Sequence, residues 1–81
     1  MNIFVAKLGR NTTSEDLNAL FSQYGEVTST KVIMDHETGY SKRYGFVEMA
    51  NDDEGFKAIE DLNDSEFDGS NIVVKKSTPK R

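Results

Sequence analysis

Cysteine is missing from all 81 residues, which excludes a disulfide scaffold, a zinc ribbon and thiol catalysis together. The single histidine, His36, stands between Asp35 and Glu37. One histidine leaves no serine with a His/Asp relay, and a lone one in a polar loop reads as a solvated side chain rather than a metal or acid–base site. The six glycines are scattered, with no phosphate-cradling loop among them. No apolar run approaches the ~20 residues of a membrane span, and Met1-Asn2-Ile3-Phe4-Val5 is too short for a signal peptide. The expectation is a soluble, cytoplasmic, monomeric domain that catalyses nothing and takes no metal, cofactor, membrane or small-molecule substrate.

What is present makes an ordinary globular domain. Hydrophobic residues are 36% and charged residues 30% of the chain, too apolar for a disordered segment. The length allows one small core and no second. Net charge is −4. That average argues against a polyanionic partner, because such binding feeds on phosphate neutralisation, unless it conceals a basic face.

Residues 2–8, Asn-Ile-Phe-Val-Ala-Lys-Leu, read as a strand followed by turn chemistry at 9–12. Thr13-Ser14-Glu15-Asp16 carries a hydroxyl cap, an acid three residues on and two carboxylates for the positive end of a helix dipole. Leu17, Leu20, Phe21 and Tyr24 then form one apolar stripe, which predicts a helix over 14–24 with Gly25 as its C-terminal cap. The period becomes two over 27–34, a second strand, and a polar loop at 35–39 leads to a third over 43–49. So short a loop makes the two an antiparallel hairpin. Asn51 and Glu54 cap a second helix that carries Ala58, Ile59 and Leu62 on one face. Asn63, Asp64, Asp68 and Gly69 break the chain before a fourth strand at 72–75, and 78–81 is a short polar tail after a domain of 1–77. The order βαββαβ predicts an α+β, ferredoxin-like fold, a four-stranded antiparallel sheet with both helices packed on one face. The other face is bare.

Alternation sorts the strand residues between those faces. Ile3, Val5, Val47 and Met49 belong inside, whereas Phe4, Tyr44 and Phe46 point outward; the opposite register would bury Glu48 and wet the aliphatics. One outward aromatic is unremarkable in a strand. Three on neighbouring strands of an uncovered sheet mark a binding surface. Of the ten Lys and Arg residues only Lys57 falls in a helix, and Lys7, Arg10, Lys31, Lys42, Arg43, Lys75, Lys76, Lys80 and Arg81 lie in strands, loops or the tail. The helices carry Glu15, Asp16, Asp52, Asp53, Glu54, Glu60 and Asp61. Flat rings among cations suit single-stranded nucleic acid: bases stack and phosphates meet the charges.

Lys42-Arg43-Tyr44-Gly45-Phe46-Val47-Glu48-Met49 resembles the octapeptide of the RNA recognition motif family, departing from it at Arg43 and Met49. Ile3-Phe4-Val5-Ala6-Lys7-Leu8 is similar to the family's strand-one hexapeptide, and Asp35, Thr38, Gly39 and Ser41 are spaced as in the usual approach to the octapeptide. The likeness runs from Asn2 to about Ser77 and is to the small, single-domain bacterial members. It implies binding of single-stranded RNA, with single-stranded DNA left open, in post-transcriptional regulation or RNA chaperoning. By resemblance Phe4, Tyr44 and Phe46 stack bases and Lys42 meets a phosphate; Lys7, Lys31, Arg43 and Lys75 join it as the charged contacts. Arg43 stands in place of a glycine, Met49 in place of an aromatic at an inward position, and Lys7 where the hexapeptide usually has Asn. Two rival readings exist. A protein-interaction module of the same fold would use the helix side. An acylphosphatase-like enzyme would need an anion-cradling loop after strand one, for which 9–12 hold the residue types without a convincing arrangement. Phe56 reads as a core-edge residue of the second helix.

Overall fold

Thr13 starts the first helix by closing a capping box: its Oγ1 accepts from the Asp16 amide at 3.2 Å, while an Asp16 carboxylate oxygen accepts from the Thr13 amide at 3.0 Å. Asn51 opens the second helix, its Oδ1 accepting from the Glu54 amide at 3.0 Å. In the computed structural model, which describes residues 1–9, 11–67 and 69–77, the elements run β1 Asn2–Ala6, α1 Ser14–Ser22, β2 Val27–Met34, β3 Ser41–Met49, α2 Asp52–Leu62, β4 Glu66–Phe67, β5 Ser70–Asn71 and β6 Val73–Ser77. The sheet order is β2-β3-β1-β6, all neighbours antiparallel. The fold is ferredoxin-like βαββαβ with one added hairpin. Arg10 and the tail 78–81 lie outside the described residues. Among the described residues no helix is long and apolar enough to cross a membrane.

Both helices cover one face. Leu17 and Phe21 of α1 and Ala58 and Leu62 of α2 are buried with Ile3, Val5, Val47, Met49 and Val74 of the sheet. Burying such a side chain stabilises by about 1.5–3 kcal/mol. Thr30 ties β2 to the start of α1, its hydroxyl donating to the Ser14 carbonyl at 3.0 Å. The inward set expected from alternation is therefore the inward set observed.

The structure differs from the sequence reading in several places. β3 begins at Ser41 rather than residue 43, and the last strand runs Val73–Ser77 rather than 72–75. β1 ends at Ala6 rather than residue 8 because Lys7 turns to φ +60°. α1 ends at Ser22, with Gln23 as its cap in right-handed conformation, so Gly25 is not a left-handed cap. A Cβ at Gly25 would instead meet the Glu54 side chain. The stretch read as a break folds into the β4–β5 hairpin, pairing Glu66 with Asn71 and Phe67 with Ser70 around Gly69 at φ +83°. Phe56 is 50% exposed, so it is a surface side chain rather than a core-edge one.

The β2–β3 loop is organised by one carboxylate. Asp35 Oδ1 accepts from the amides of Glu37 at 2.8 Å and Thr38 at 3.3 Å, an Asx turn. Those bonds, with the Lys42 charge behind them, hold its carboxyl below the usual carboxylate value. A lowered folded-state pKa means the turn's stabilisation is complete above the ordinary value and fades as pH falls through the folded one. The Glu37 and Thr38 amide resonances should shift together on acidification, later than an unperturbed aspartate would titrate, with the melting temperature almost unchanged. Amides indifferent to acid would show that the turn does not depend on this charge.

Candidate functional site

Strand pairing draws the outward residues into lines across the sheet. Lys31 of β2 pairs with Phe46 of β3, Phe46 with Phe4 of β1, and Phe4 with Lys75 of β6. One transverse row thus reads cation, ring, ring, cation. The next row toward the β2–β3 loop sets Tyr44 beside Ala6 and Val73; the row on the other side sets Ser29, Glu48, Asn2 and Ser77 together. The rings of Phe4 and Phe46 are 5.6 Å apart at 54°, and those of Phe4 and Tyr44 5.8 Å apart at 44°. Those separations lie in the range of favourable aromatic pairs. Phe4 is the middle ring of three. Phe46 is 39% exposed and the other two are half-buried, so the platform is formed and its faces remain open.

The cations divide. Lys7, Lys31, Lys42 and Lys75 are exposed at the platform's ends and edges. Lys76 is not among them. It pairs with the inward residue Ile3 and sets its ammonium 5.6 Å from the centre of the Phe56 ring on α2, a cation–π contact on the helix side. The sequence reading grouped all the strand-borne bases around the sheet, and the pleat removes this one. The acidic helices keep Lys57 engaged as well, 3.8 Å from Asp61.

Arg43 and Lys7 explain each other. Arg43 adopts φ +67° and Lys7 φ +60°, conformations that favour Gly and Asn and cost other residues about 1–2 kcal/mol. These are the positions where the family octapeptide and hexapeptide carry Gly and Asn. At Arg43 the β2–β3 ladder is irregular, jumping from the Val32–Gly45 pair to the Met34–Ser41 pair. The displaced Arg43 backbone accepts from the Leu8 amide at 2.9 Å, and Arg43 Nε donates back to the Leu8 carbonyl at 2.9 Å. The Arg43 side chain is therefore partly committed to holding the end of β1. Met49 is fully buried, as its inward position requires.

Asn71 and Ser70 were missed in the sequence. With Phe4, Ala6 and Tyr44, and with Lys7, Lys42 and Arg43 nearby, they line a groove of about 590 Å3 at the loop end of the platform. Two-residue strands have no period to detect; the Asp68-Gly69 pair was the available signal.

Residues 3–73 match the RNA recognition motif. The chain is 41% identical over 80 residues to RbpB of Nostoc sp., covering 99% of this chain and 78% of that protein. Among solved structures it resembles the RNA Binding Protein PG1, with a TM-score of 0.95 and 46% identity over 100% of this chain and 98% of the other. It also resembles the Sxl-lethal protein in a protein/RNA complex, with a TM-score of 0.89 and 29% identity, covering 99% of this chain and 48% of that one.

Proposed function

The chain belongs to the RNA recognition motif family, and from that premise we propose that it binds single-stranded RNA on the open face of its sheet. The observation that carries this is the row Lys31–Phe46–Phe4–Lys75. Successive bases stack on Phe46 and Phe4, with Tyr44 as the third ring, and each stacked base contributes about 1–3 kcal/mol. Phosphates on either side meet Lys31 and Lys75, with Lys7, Lys42 and Arg43 at the loop end. The reading is supported by the neighbours: one solved relative is named an RNA Binding Protein and another was solved with RNA. A platform of two or three bases predicts an affinity of order micromolar, about −8 kcal/mol. Stacking and charge neutralisation act on single-stranded DNA too, so discrimination against it falls to contacts with the 2′-hydroxyl. The domain of 1–77 acts as a monomer in the cytoplasm, binding transcripts after synthesis, as regulator or chaperone, without catalysing a reaction.

Titration with a pool of short RNAs at several salt concentrations, followed by amide chemical shifts, tests this. Shifts should concentrate in β1 and β3. With ~3 phosphates neutralised, log K should fall with log[salt] at a slope near −2, about −0.7 per phosphate on a single strand. Lys75→Ala should reduce that slope by roughly 0.7. Lys76→Ala should leave it alone, because its ammonium lies over Phe56. Shifts confined to α1 and α2 would overturn the sheet-face reading in favour of the helix side, and an affinity indifferent to salt would remove the lysines from it.

A further inference from the structure

The groove at the loop end of the platform extends the open face past the last row of the sheet. It is a shallow, open depression of about 590 Å3. From the sheet it takes Phe4, Tyr44 and the small side chain of Ala6; Lys7 and Lys42 bring positive charge. Ser70 and Asn71 bring neutral hydrogen-bonding groups to this end of the platform. The hairpin that carries them is anchored: the Asp64 amide donates to the Ile72 carbonyl at 2.8 Å and the Ile72 amide to the Ser65 carbonyl at 3.0 Å, while Phe67 packs against the core. Asn71 is exposed, yet its Nδ2 donates to the Asp64 carbonyl at 3.2 Å. That bond orients the amide, so that Oδ1 and the second N–H are presented in a defined direction.

We infer that Ser70 and Asn71 make this groove a further nucleotide position, in which the Asn71 amide reads the edge of the base while the adjoining phosphate meets Lys7 or Lys42. The inference rests on the RNA-binding reading and adds a residue role to it. A carboxamide offers an acceptor beside a donor, the pattern that pairs with a base edge and that no lysine or phenyl ring supplies. Stacking alone is tolerant of sequence, so the platform by itself binds with little preference. A preoriented amide beside it converts part of that binding into selection. The hairpin is thereby a specificity element bordering the stacking residues Phe4 and Tyr44.

The test compares wild-type protein with Asn71→Ala on a dinucleotide, on a tetranucleotide, and on tetranucleotides made abasic at one end or the other. The tetranucleotide should bind the wild type more tightly than the dinucleotide. Asn71→Ala should weaken the tetranucleotide about 2- to 12-fold, the range of one neutral hydrogen bond, and leave the dinucleotide unchanged. One of the abasic tetranucleotides should bind both proteins equally. Ser70→Ala should act in the same direction with a smaller loss, and it decides the matter if the hairpin amides of Asn71→Ala have moved. A tetranucleotide that gains nothing over the dinucleotide, or a variant loss equal on both lengths, overturns the groove while leaving the platform in place. A wild type that binds neither oligonucleotide overturns the RNA-binding reading and the groove with it.

Discussion

Phe46→Ala should weaken RNA binding by about 5- to 150-fold while melting close to the wild type, and Val47→Ala, one residue along the same strand, should do the opposite. The two side chains leave the backbone on opposite faces. Phe46 is 39% exposed, in the row between Lys31 and Phe4, and its loss removes one stacked base, about 1–3 kcal/mol. The ring contact with Phe4 goes with it, but no void opens in the core. Val47 is 1% exposed and faces α1 and α2 beside its cross-strand partner Ile3. Truncating it forfeits burial and leaves a void, about 1–3 kcal/mol, which in a domain of this size lowers the melting temperature by roughly 4–8 °C per kcal/mol. The Val47→Ala protein that remains folded should bind RNA nearly as before. Phe4→Ala should match or exceed the binding loss of Phe46→Ala, since Phe4 is the ring that touches both others. Thermal melting and RNA titration on all three variants check the set. If Phe46→Ala melts as low as Val47→Ala and binds normally, the platform is wrong.

Gly45→Ala should damage stability and binding together, although it adds a single methyl. Gly45 is buried in β3 between its partners Val5 on β1 and Val32 on β2. A Cβ there would strike the backbone carbonyl oxygen of Lys31 and come within 3.0 Å of the Val32 Cα. Both are main-chain atoms held in the sheet, so the strain cannot be relieved by turning a side chain. Overpacking of this kind costs about 1–3 kcal/mol. The displaced segment of β2 carries Lys31, the cation at one end of the stacking row, and so the row is pulled out of line with it. The expected outcome is a melting temperature lowered as in Val47→Ala, but with an RNA affinity reduced severalfold in the fraction still folded. Gly39 gives the contrast: nothing lies within 4 Å of a Cβ built there, and at Gly25 and Gly55 a Cβ would meet side-chain atoms of Glu54 and Met1, so the clash with sheet backbone is the feature of Gly45. A Gly45→Ala protein that melts and binds as wild type would show that β2 can withdraw without consequence.

The amino-acid sequence alone determined which residues face which way, because that information is local. Period-two alternation is built into the extended backbone, and burying Ile3, Val5, Val47 and Met49 obliges Phe4, Tyr44 and Phe46 to face out. The helix starts at Thr13 and Asn51 were equally legible, since a cap and its partner amide lie within three residues. What needed the tertiary structure was everything that depends on pairing between distant segments. Nothing near Lys31 or Lys75 in the chain says that both stand in line with Phe46 and Phe4; the inter-strand register does. The same holds for the clash beneath Gly45, and for Lys76, whose ring partner Phe56 is twenty residues earlier on a helix. Arg43 and Lys7 could be seen in the sequence as replacements for Gly and Asn, yet the reason those residues are favoured, two left-handed backbones joined through Leu8, is a property of β1 meeting β3. The β4–β5 hairpin lay between the two kinds of information. Its strands are too short for any period to show, and Asn71 acquires a defined direction only when the folded chain brings the Asp64 carbonyl to its amide.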